Sequence, residues 1–207
     1  MVFRFGRCFV GVRSLQKAAH DSSIPINIEW APFFLNRGMS PDGEDLIEHL
    51  TKKYGRERAA QFTAPGNPLQ RAGELAGIYF NSNRRVIPTE KCHIIIEYLN
   101  QHLPEKSNDF MEGLFRQYFE EGKDVSQQDI LLQVARDCEV EPHSIDNALQ
   151  SSKYLDDVIS KTDYIQKNMK VRGVPYFIIK SQQGGRPITF SGAQPIDIMI
   201  EALQMAL

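Results

Sequence analysis

The sequence predicts an α/β sandwich interrupted by a large all-helical insertion, and three observations carry that expectation. An alternating segment, Ile26-Asn27-Ile28-Glu29-Trp30, follows an apolar helical stripe near the start of the chain. Helical patterning then fills residues 40–170. The last section turns β-rich, with Val174 to Lys180 and Pro187 to Ser191 flanking Gln183-Gly184-Gly185, before one final amphipathic segment.

Cys8, Val12, Leu15 and Ala19 recur at helical spacing, which predicts a first helix over 8–20 beginning close to Cys8. Ile26, Ile28 and Trp30 share the period of two of a half-buried strand that Pro32 ends. Ser40-Pro41 reads as N-cap and first helical position ahead of Leu46, Ile47, Leu50 and Tyr54. Thr89 is placed to cap a helix carrying Cys92, Ile95, Ile96, Leu99 and Leu103, and Ser107 one carrying Phe110, Met111, Leu114, Phe115 and Tyr118. Ser126 with Asp129 has the form of a capping box before Ile130, Leu131, Val134 and Cys138. A later stripe runs from Tyr154 through Leu155, Val158, Ile159 and Ile165 to Met169, and Gly173 closes the block. Ile196, Met199, Ile200 and Leu203 give the last helix a face to lay on the hairpin.

A chain of 207 residues, 42% of them hydrophobic, suits one domain, or one with a large insertion. Lys and Arg number 24 against 26 Asp and Glu, so a net charge of -2 leaves no electrostatic footprint for nucleic acid or an anionic membrane. The longest apolar runs, such as Ile94 to Ile96, fall far below the roughly 20 residues that span a bilayer. Arg4 and Arg7 are followed by no sustained apolar run, so a secretory signal is not expected and the address reads as cytoplasmic. Cys8, Cys92 and Cys138 form no CxxC pair, and the scattered histidines make no metal cluster.

Gly173-Val174-Pro175-Tyr176-Phe177, closed by a C-terminal helix, looks like the cis-proline half of a thioredoxin fold. Glu29-Trp30-Ala31-Pro32-Phe33, the run Phe115-Arg116-Gln117-Tyr118-Phe119-Glu120-Glu121-Gly122-Lys123-Asp124, and Ser191-Gly192-Ala193-Gln194-Pro195 resemble signatures of the FrnE group of the DsbA family. The resemblance spans nearly the whole chain. It implies a thioredoxin-like fold with residues 1–39 and 171–207 as the two parts of the core and 40–170 as the helical insertion. It also implies thiol-disulfide oxidoreductase activity, thiol- or disulfide-bearing protein partners or glutathione, no bound cofactor, and glutathione as a candidate cosubstrate.

In that family a strand precedes C-P-W-C at the opening of the first helix. Here Phe5-Gly6-Arg7-Cys8 stands in that place: Cys8 matches the second, resolving cysteine, Phe5 replaces the first, and only Met1 to Arg4 precede the motif. The first core strand is therefore expected to be missing. By resemblance, Pro175 is the cis-proline facing the cysteine helix, the Val174 backbone pairs with an extended substrate, and His93 matches a histidine of an A-H-R-type motif.

Each of these residues has an ordinary structural reading beside its functional one. Dithiol exchange needs a thiolate exposed at a helix N-terminus and a second thiol to resolve the mixed disulfide, and this chain supplies only the second. Cys8 is otherwise a small buried apolar residue, and Cys92 and Cys138 lie on apolar stripes. Val174 and Pro175 also serve as a turn that determines the fold, and a lone histidine beside such a stripe is commonly a packed one. Arg84 and Arg85 could attract a carboxylate or glutathione, but read first as a solvated pair.

Four readings stay open. One is an oxidoreductase by descent with impaired dithiol activity. Another is a glutathione-using relative of kappa-type transferases and hydroxychromene-carboxylate isomerases, and a third is a non-catalytic peptide binder. The fourth is an incomplete product whose longer form carries the missing strand and cysteine. Loss of a central strand leaves two open edges and predicts marginal stability or self-association.

Overall fold

The computed structural model describes residues 2–35 and 38–207, with side chains from residue 6 onward. Helix α1 covers Val2–Asp21, so Cys8 lies in its second turn rather than near its start, as the apolar spacing alone had suggested. The helix closes where the Ser22 hydroxyl donates to the Ala18 carbonyl at 2.6 Å and the Ile24 N–H to the Ala19 carbonyl at 3.0 Å. Residues 24–30 then run extended, with Ile24, Ile26, Ile28 and Trp30 half-buried and Pro25, Asn27 and Glu29 exposed.

The expected strand is thus present as an alternation but not as a ladder, because no backbone hydrogen bond among the described residues joins 25–33 to another segment. Side chains from the insertion take its carbonyls instead. Asn100 donates to the Trp30 carbonyl at 2.7 Å, Thr162 to that of Pro32 at 3.4 Å and Gln166 to that of Phe34 at 3.1 Å. This segment is held to the helical block in the way a loop is held.

The insertion opens with a two-residue strand β1 (Glu44–Asp45), followed by α2 (Leu46–Tyr54), α3 (Arg56–Thr63) and α4 (Pro68–Leu75). β1 pairs antiparallel with β2 (Arg85–Val86). Gly43, at φ +66°, sits so close to the Val86 carbonyl that a β-carbon would collide with it. That turn moves the start of α2 past Ser40-Pro41, and Asp45 is the N-cap, accepting the Glu48 N–H at 2.9 Å.

Next come α5 (Glu90–His102) and α6 (Pro104–Phe115), continued by a π-helical turn over Arg116–Glu120, then α7 (Gln128–Asp137), α8 (Pro142–Gln150) and α9 (Ser152–Lys167). Thr89 stands at the start of α5 without a side-chain capping bond. Ser107 lies inside α6 and donates to Asn100 Oδ1 at 2.7 Å, since Pro104 starts that helix earlier. The Ser126 hydroxyl bonds back to Asp124 at 2.6 Å, so no capping box forms.

The hairpin pairs β3 (Tyr176–Ile179) with β4 (Ile188–Ser191), in a register that sets Phe177 opposite Phe190. Helix α10 (Ile196–Met205) packs on α1. Among the described residues β3 pairs with β4 alone. Two apolar clusters fill the interior, and α1 belongs to both. Cys8, Phe9, Val10 and Val12 join the core of the helical block. Leu15, Ala18 and Ala19 pack with Met199 and Leu203, flanked by Ile24, Ile26, Phe177, Ile179 and Phe190.

Candidate functional site

Helix α1 and the loop before β3 meet at Gly11. The Val174–Pro175 peptide is cis. Pro175 is buried against α1, whose Gly11 leaves room for it: a β-carbon there would stand 3.3 Å from Pro175 Cγ and 3.0 Å from Phe177 Cζ. Gly6 makes a second close approach, 3.0 Å from Leu69 Cδ2 and 3.4 Å from Phe80 Cε1 on the same measure. Helix α4 and the segment after it thus cover the start of α1. The Asn67 carboxamide, which accepts the Leu69 and Gln70 N–H groups, fixes that lid in place. Phe80 also walls a cleft of about 410 Å³ with Gln70, Glu74 and Tyr79.

Cys8 sits between these approaches and is buried, 9% exposed. Burial alone pushes its thiol up to about 12, with no cation or hydrogen bond offsetting it. At neutral pH its thiolate is then roughly one part in 10⁵, far from the activated thiolates of helix N-termini. The side chain of Phe5, expected from the resemblance at the position of the family's first cysteine, lies outside the described residues.

Cys92 is buried on α5, donates to the Val125 carbonyl at 3.4 Å and is likewise pushed up to about 12 by burial. Cys138 is half-buried at the end of α7, and burial raises it too. The three described thiols are free.

His93 lies on α5 with its ring edge-on to Phe34 at 5.1 Å, and burial lowers it to about 4, so it is neutral at physiological pH. Val174 is half-buried, and none of the hydrogen bonds among the described residues uses its backbone. The two arginines part company. Arg85 is exposed, whereas Arg84 is buried against Phe80 and Phe119, which corrects the reading of a solvated pair.

The structure therefore brings Pro175 up to α1 near Cys8 and leaves His93 in the helical core. Leu69 and Phe80 were not singled out by sequence reasoning. Asn67-Pro68, a cap followed by proline, was the available signal for α4 and its lid.

The chain is similar to known proteins in sequence and in fold. A protein of Bacillus subtilis strain 168, the uncharacterized protein YwbO, is 23% identical over 178 residues, 83% of this chain and 80% of that protein. The crystal structure of a "probable DsbA oxidoreductase" from Streptomyces coelicolor superposes with a TM-score of 0.81 at 20% identity, covering 97% of this chain and 85% of the other. A further crystal structure, from Nitrosomonas europaea, superposes with a TM-score of 0.70 at 16% identity, over 96% of this chain and 91% of its own. Among the described residues no helix is long and apolar enough to cross a membrane. Residues 6–204 match the DSBA-like thioredoxin domain, and the chain belongs to that family, with a thioredoxin fold carrying a helical insertion.

Proposed function

We propose that this chain is a FrnE-like member of the DsbA family whose dithiol activity is impaired. Residues 40–170 form the insertion in this reading, and 1–39 and 171–207 the two parts of the core. The observation that carries it is the state of Cys8, buried in the second turn of α1 with its thiol pushed up to about 12; by the family resemblance, Phe5 stands where the partner cysteine belongs. A lone protonated thiol neither attacks a disulfide at a useful rate nor resolves a mixed disulfide. Substrates of the class are thiol- or disulfide-bearing proteins or glutathione, with glutathione as cosubstrate rather than a bound cofactor and the cytoplasm as the compartment.

The free backbone of Val174 beside the buried Pro175 supports a second reading, a non-catalytic peptide binder. An extended peptide would pair with Val174 in strand fashion, and Pro175 would hold that loop against α1. Maleimide titration of Cys8 against pH, beside a Cys8→Ser control and an insulin-reduction assay, tests the proposal. The expected result is slow labelling that climbs with pH without a plateau below about pH 10, and no insulin reduction. A Cys8-dependent plateau near neutral pH together with reduction of insulin would overturn it.

A further inference from the structure

Arg84 is 7% exposed, and no carboxylate among the described residues pairs with it. Its carbon Cζ lies 5.4 Å from the Phe80 ring centroid and 5.1 Å from that of Phe119. Those two rings are 5.6 Å apart and nearly perpendicular. The three groups make a nearly equilateral triangle, so the guanidinium rests in the corner of a T-shaped pair, with both rings on one side of it.

The rings offer their negative faces to the charge but accept none of its N–H bonds in the plane of the group. Nη1 donates to the Asn81 carbonyl at 3.1 Å. Nε is buried with no acceptor, and Nη2 has none among the described residues. These two atoms form the edge of the guanidinium that takes an oxoanion side-on, and that whole edge is unused. Burial lowers the Arg84 pKa, and the group opposing that shift is Tyr118, a phenol that burial holds protonated. A buried cation without a counter-charge is costly, and proteins keep such groups paired or coordinated.

We propose that Arg84 is a receptor for a carboxylate, taken side-on by Nε and Nη2. A single cation with one free edge balances one negative charge. A phosphate dianion needs a second cation, and the neighbouring Arg85 is exposed and directed to the Asp42 carbonyl at 3.2 Å. Phe80 touches Arg84 and closes on α1 at Gly6, so a carboxylate held here lies one aromatic ring from the second turn of that helix. The source is either a small free carboxylate or the carboxylate of a peptide-like ligand. The site uses no thiol, so its test is separate from whether Cys8 reacts.

The experiment follows the Arg84 Nε–H resonance by NMR in the intact protein at constant ionic strength, during titrations with acetate, S-methylglutathione and inorganic phosphate. Arg84→Gln, Arg84→Lys and Arg85→Gln are compared by their amide shifts. A saturable shift with acetate is expected, with S-methylglutathione at least about tenfold tighter if the peptide-like source holds, and phosphate weaker than either. Arg84→Gln should weaken binding about tenfold or more, Arg84→Lys less, and Arg85→Gln should stay within about twofold. Equal affinities for acetate and S-methylglutathione assign the small carboxylate as the ligand. An unmoved Arg84 resonance with either carboxylate up to about 50 mM overturns the proposal, as does unchanged affinity in Arg84→Gln. The wild-type resonance decides even where Arg84→Gln fails to fold.

Discussion

Gly11 of α1 makes room for Pro175 before β3: even a β-carbon at Gly11 would stand 3.3 Å from Pro175 Cγ and 3.0 Å from Phe177 Cζ, closer than ordinary van der Waals contact. A helix-interior glycine ordinarily costs stability, so its presence here reflects the close approach of the hairpin. A branched side chain at this position must displace Phe177 from Phe190, its stacked partner at 5.1 Å. Gly11→Val is expected to destabilise the fold by about 1–3 kcal/mol, read as a lower urea midpoint with unchanged m-value. A variant as stable as the parent would show that the hairpin does not seat on α1.

His93 gives the fold an acid sensitivity. Burial lowers it from 6.5 to about 4, so folding favours the neutral ring. A group with a depressed folded pKa contributes stability that is complete above about pH 6.5 and is lost as pH falls through about 4. The shift corresponds to about 3 kcal/mol at most. His93→Leu should flatten the stability profile between those two pH values while leaving the carboxylate-driven loss below pH 4. Chemical denaturation at a series of pH values measures it.

Glu97 is buried on α5 and bonded by Lys161 of α9 at 2.7 and 2.9 Å, with Gln101 completing its shell at 2.5 Å. Removing the lysine leaves a buried carboxylate with one neutral donor. Because Lys161 is itself half-exposed, Lys161→Met is expected to cost about 1–3 kcal/mol rather than the full penalty of a buried pair. Glu97→Gln combined with Lys161→Met should recover part of that loss. A double-mutant cycle in which the two changes simply add would exclude the coupling.

The edge of β3 away from β4 has no strand partner among the described residues, and Ile178 on that strand is 40% exposed. An unpaired apolar edge recruits another chain. Sedimentation should therefore show concentration-dependent association that Ile178→Lys reduces. A clean monomer at micromolar concentration with a cooperative melt would count against open-edge association.

Legibility from the sequence followed the range of the interactions. The stripe Ile95, Ile96 and Leu99 is buried as its spacing required, because a helix face is set by residues a turn apart. The alternation from Ile26 to Trp30 was readable for the same reason, whereas its lack of a ladder was not, since pairing depends on a distant segment. Ser40-Pro41 misled because β1 and β2 pair across some forty residues and carry the cap on to Asp45. At the site, Pro175 was legible from its motif. The burial of Arg84 was not, because it arises only when Phe80 and Phe119 meet.

Helix α1 carries a consequence for how the molecule comes apart. Its residues 8–12 are packed into the interior of the helical block, and its residues 15–19 into the cluster beneath the hairpin. Each turn is bonded to the next, so fraying caused by loss of one cluster withdraws the surface on which the other depends. The inserted helices and the hairpin consequently share a single unfolding free energy, and the amide protons along α1 exchange through one opening common to both.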